Sequence, residues 1–113
     1  MRNPLTGALL ALMICAPCFA ADLTPDQSQA REIYAKLISY KTSEGLGQVP
    51  VMAGYLADEF RKAGFAEDDI HLLPVGETAS LVVRYRGDGS GGKPILLMAH
   101  MDVVAADPND WKR

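Results

Sequence analysis

Five apolar residues in a row, Ile95-Leu96-Leu97-Met98-Ala99, lead without a break into His100-Met101-Asp102. A strand with one wet face alternates apolar and polar residues, so an unbroken run of this length reads as a strand buried on both faces. Such a strand needs neighbours in a sheet and helix cover, which selects an α/β architecture. In open α/β sheets ligands bind at the rim where strands end, and here that rim receives an imidazole and a carboxylate. On an extended backbone residues i and i+2 point to one side, so Asp102 can reach the ring nitrogen of His100 that a metal does not use. A carboxylate in that place fixes the tautomer of a ligating histidine and raises its basicity. Taken alone, His-x-Asp is a weak signal: it also describes a structural pair in which His100 caps a strand and Asp102 opens a turn.

The preceding residues supply helices and strands. Thr24-Pro25-Asp26-Gln27 has the form of a helix start, with Thr24 as N-cap, Pro25 at the first helical position and Gln27 closing a capping box. Ala30, Ile33, Tyr34, Leu37 and Ile38 continue as one apolar stripe, and Ser43-Glu-Gly-Leu-Gly47 breaks it. A second helix is predicted from Pro50 to about Ala63, with Met52, Tyr55, Leu56 and Phe60 on one face and Asp58 and Lys62 as an i,i+4 pair. Gly64 is its left-handed C′ residue, and Phe65 then falls at C″, in touch with Phe60. Ile70 to Leu73 is a short strand stopped by Pro74, and Leu81 to Arg86 is a second. Gly87-Asp-Gly-Ser-Gly-Gly92 reads as a hairpin connection from there to the apolar run. It lacks the G-x-x-x-x-G-K-S/T spacing of a phosphate loop, and no helix follows it. His71 reads as a solvated strand residue. Arg84 and Arg86 read as an exposed sheet face, with a substrate-carboxylate role as the alternative.

The first twenty residues stand apart. Arg2 supplies one positive charge, Leu5 to Ile14 is apolar, and Cys18-Phe19-Ala20 places small residues at −3 and −1 of a cut after Ala20. The expectation is a signal peptide over residues 1–20 and a periplasmic or secreted product over 21–113, free of the membrane after cleavage. Cys15 and Cys18 match C-x-x-C, but an apolar leader is not the folded context a redox or zinc motif needs. A length of 113 residues bounds the chain to one small domain. With a formal net charge of −3 and no basic cluster, it is not read as a nucleic-acid binder; a small soluble substrate fits better.

The stretch Pro94-Ile-Leu-Leu-Met-Ala-His-Met-Asp-Val-Val104, followed by Trp111, resembles the first metal-ligand segment of a zinc metallopeptidase family. That family comprises glutamate carboxypeptidase, acetylornithine deacetylase, succinyl-diaminopimelate desuccinylase and aminoacylase. Pro50-Val-Met-Ala-Gly-Tyr-Leu-Ala57, Ala63-Gly-Phe65 and Leu81 to Tyr85 correspond to the family's second helix, its end and a following strand, so the likeness spans roughly Arg31 to Trp111. The helices alone fit many α/β proteins, and the last segment is the most specific part.

The resemblance implies two zinc ions, with cobalt or manganese as substitutes, His100 as a metal ligand and Asp102 as the catalytic-site carboxylate that orients it. It implies hydrolysis of a peptide or N-acyl amino acid amide bond by metal-activated water. The family's bridging Asp, adjacent Glu-Glu pair, further carboxylate ligand and late His have no counterparts here, whereas a catalytic zinc takes three or more protein ligands. The expectation is therefore an N-terminal fragment of an exported metallohydrolase, itself inactive. Its α/β fold is the incomplete beginning of a zinc-exopeptidase-like catalytic domain: two helices, a hairpin-like strand pair and a buried central strand. A domain outside these residues would support a homodimer. The alternative is a small exported non-catalytic α/β module with a structural His-x-Asp. An amidohydrolase barrel would want a second His where Asp102 stands.

Overall fold

The computed structural model describes residues 22–110; the leader with Cys15 and Cys18, and the end with Trp111 and Arg113, lie outside the described residues. Helices α1 (Pro25–Ile38) and α2 (Val49–Lys62) precede the antiparallel strands β1 (Ile70–Val75) and β2 (Thr78–Val83). Single 3₁₀ turns occupy Glu67–Asp69 and Pro108–Asp110. The arrangement is a small α/β one of two helices and a two-stranded sheet. Among the described residues no helix is long and apolar enough to cross a membrane.

Local chemistry starts α1 as its sequence requires. The Gln27 amide donates to Thr24 Oγ1 at 3.3 Å and the Thr24 amide donates to Gln27 Oε1 at 2.9 Å, a complete capping box. The apolar stripe finds no full cover, however: Ile33 and Leu37 are half-buried, and Tyr34 and Ile38 stay exposed. Propensity and capping carry this helix, and its stripe is only partly covered among the described residues.

α2 ends in a full Schellman arrangement. Gly64 takes φ +88°, its amide donates to the Arg61 carbonyl at 3.0 Å, and the Phe65 amide reaches the Phe60 carbonyl at 3.1 Å. The expected contact follows, with Phe60 and Phe65 edge to face at 5.1 Å between ring centroids. Two details differ from expectation. Asp58 is held by Arg61 at 2.8 Å, which also grips Glu67, while Lys62 pairs with Glu59 instead of Asp58. The fully buried face of α2 is Val49, Ala53 and Ala57, and Met52, Tyr55, Leu56 and Phe60 flank it half-buried. Two alanines with no exposed surface let the helix lie close on the hairpin, where Ile70 and Ala79 complete the core.

The hairpin corrects the expected strands. β1 runs through Pro74 to Val75 and turns at Gly76-Glu77 into β2, with Val75 opposite Thr78 and Ile70 opposite Val83. In a two-stranded sheet half of each strand's amides face no partner, so a proline is accommodated. Gly76 has φ +59°, as the first central residue of a II′ turn requires. The larger correction concerns residues 95–99. They form no strand, and Ile95, Leu96, Leu97 and Met98 are 79–89% exposed. A doubly apolar strand is stable only between neighbours, and none lies beside it among the described residues. Gly87 to Gly92 consequently joins no second strand pair, and carries instead an Asx turn in which the Ser90 amide donates to Asp88 Oδ1 at 2.9 Å.

Candidate metal-ligand segment

Residues 94–107 cross the surface without regular structure, and Met101 is the only one among them that is not exposed. Side chains on extended backbone alternate in direction, so half-burying Met101 leaves His100 and Asp102 in solvent, their side chains 82% and 72% accessible. The expected partnership is present in altered form. His100 Nδ1 lies 2.8 Å from the Asp102 backbone carbonyl oxygen and 3.5 Å from Asp102 Oδ1. A carbonyl only accepts, so Nδ1 donates and the neutral ring keeps its lone pair on Nε2. That is the tautomer a metal-binding imidazole needs, since its other ring nitrogen donates to a carbonyl or carboxylate.

No family model, curated protein or solved structure matches this chain. The site therefore rests on its own geometry. Among the described residues no three His, Cys, Asp or Glu side chains gather in a way that holds a metal ion. One imidazole with an orienting neighbour does not by itself fit zinc, which is held by three or four protein ligands.

Asp102 also borders a cleft of about 380 Å³ between the α1–α2 loop and the hairpin turn, lined by Thr42, Ser43, Glu44, Gly45, Glu77 and Thr78 among others. Thr42 is 3% exposed, and its carbonyl accepts the Val103 amide at 3.4 Å. Sequence reasoning passed over Thr42, because nothing in a polar loop marks one hydroxyl residue for burial.

The other sequence-selected groups lie elsewhere. His71 is exposed on β1 opposite Val82 and belongs to no cluster of three or more metal-ligating side chains among the described residues. Arg84 and Arg86 converge on Asp69, with each Nε 2.7 Å from one carboxylate oxygen. Asp69 is 4% exposed, so these guanidinium groups serve a buried carboxylate. The Arg86 and Arg84 hydrogen bonds hold the Asp69 carboxyl below its ordinary range, against the opposing effect of burial. The depressed folded value means that the pairing stabilises the fold above the unfolded Asp pKa of about 3.9 and is lost as pH falls through the folded value. Acid titration of the melting temperature is expected to show a drop that sets in near the unfolded carboxyl pKa and deepens as pH falls further, with the lowered Glu67 and Asp88 carboxyls adding to the share of Asp69. Asp69→Asn should remove that part of the drop and lower stability at neutral pH. A variant whose acid profile matched the parent's would show that the clamp contributes nothing.

Proposed function

We propose that this chain is the N-terminal portion of an exported zinc-dependent hydrolase that cleaves a peptide or N-acyl amino acid amide bond, with His100 as one metal ligand and Asp102 as the group that orients it. The observation that carries the reading is the bonding of His100 Nδ1 to Asp102, which leaves Nε2 of an exposed ring without a hydrogen-bond partner among the described residues. The segment resembles the family's first ligand segment, and its exposed apolar run suits a strand whose sheet partners lie beyond the described residues. The remaining ligands and the proton acceptor belong to those further residues. Replacing His100 with Ala in the complete protein, and measuring metal content and amide hydrolysis together, tests the assignment.

The exposure of both side chains and the lack of a ligand cluster among the described residues favour a second reading, an exported non-catalytic module in which the pair only shapes the chain. In that case His100→Ala leaves metal content unchanged.

A further inference from the structure

Among the described residues, the segment that bears His100 is hydrogen-bonded to the rest of the fold at one place. Among the described residues, the only hydrogen bond linking residues 94–110 to the helices and hairpin runs from the Val103 amide to the Thr42 carbonyl, at 3.4 Å. The acceptor sits on a fixed point. Thr42, in the loop from α1 to α2 and four residues past the end of α1, is 97% buried, and Val49, at the start of α2, is 7% exposed. The donor lies directly after Asp102, whose carbonyl holds the His100 ring. We infer that Thr42 is a positioning residue for the His100-Asp102 pair, acting through its carbonyl on Val103 and so fixing the backbone that selects the imidazole tautomer.

This inference rests on the metal-ligand reading for its purpose but not for its test. The bond fixes the direction of the Asp102–Val103 peptide, and that peptide plane contains the Asp102 carbonyl oxygen. If the amide is released, the plane rotates freely and the acceptor for Nδ1 leaves its place. An exposed imidazole without that acceptor samples both tautomers in water.

Val103→Pro deletes the amide donor. Val103→Ala keeps the donor and serves as its control. Nitrogen-15 spectra of the uniformly labelled chain, at neutral pH and without metal, read the two histidine rings separately and report the backbone amides of α2 and the hairpin alongside them. In the parent and in Val103→Ala, His100 is expected to show well-separated nitrogen shifts with Nδ1 protonated. In Val103→Pro the separation should collapse toward that of the exposed His71. The signals of α2 and the hairpin should not move. An unchanged His100 pattern in Val103→Pro, or an equal collapse in Val103→Ala, overturns the inference. Neither outcome depends on zinc or on hydrolysis, so failure of the functional reading is seen separately.

Discussion

In the complete protein His100→Ala is expected to lose metal and nearly all hydrolysis, while Asp102→Asn keeps most of the metal and loses about tenfold in rate. The difference follows from how the ring is held. In the proposed site His100 would be the donor that reaches the metal, and a catalytic zinc with three protein ligands has none to spare. Asp102 acts on the ring mainly through its backbone carbonyl at 2.8 Å, with its carboxylate oxygen farther off at 3.5 Å. An asparagine retains that carbonyl, so the loss should fall at the mild end of the roughly 10 to 100-fold usual for an orienting group. His71→Ala, on the solvent face of β1, should change neither metal content nor rate. Metal analysis and initial rates on an N-acyl amino acid, measured for all three variants, check the order. Equal losses for His100→Ala and His71→Ala would remove the distinction on which the site assignment stands.

The second large effect is self-association of the chain expressed as residues 21–113. Ile95, Leu96, Leu97 and Met98 are each at least 79% exposed, and no charge interrupts them. Unpaired apolar backbone of this kind seeks strand partners on other copies. The core offers little resistance, since its buried apolar residues are Val49, Ala53, Ala57, Ile70 and Ala79. Sedimentation velocity is expected to show concentration-dependent oligomers, and Leu97→Lys, a charge in the middle of the run, should return most of the material to monomer. Zinc should bind the chain no better than it binds a loose imidazole. A monodisperse parent with a cooperative melt and submicromolar zinc binding would show instead that these residues form a complete unit.

What the sequence made legible was local. The Thr24 capping box and the Gly64 cap with its Phe60–Phe65 contact depend on residues within one turn of each other, and both form as read. The buried face of α2 was missed because Ala53 and Ala57 carry weak hydropathy beside Met52 and Phe60, yet only small side chains let helix and hairpin approach closely. Pro74 reads as a stop because sequence alone does not reveal that β1 pairs on one side only, and the turn at Gly76 is hidden with it. The Asp69 clamp joins residues 15 and 17 positions apart, a pairing that no local pattern encodes. For residues 95–99 the apolar pattern is clear but its strand is not formed, since a buried strand is a property of its neighbours. At the site, the His100-Asp102 partnership was legible from i,i+2 spacing. The use of the backbone carbonyl in place of the carboxylate was not, because it depends on peptide orientation and on the tether to Thr42.

The claim that His100 is a metal ligand held by Asp102 is tested most directly by replacing zinc with cadmium-113 in the complete, nitrogen-15 histidine-labelled protein. The expected result is a cadmium–nitrogen coupling at Nε2 of His100, with Nδ1 still carrying its proton. A coupling through Nδ1, or a loaded site in which His100 shows no coupling at all, would contradict it.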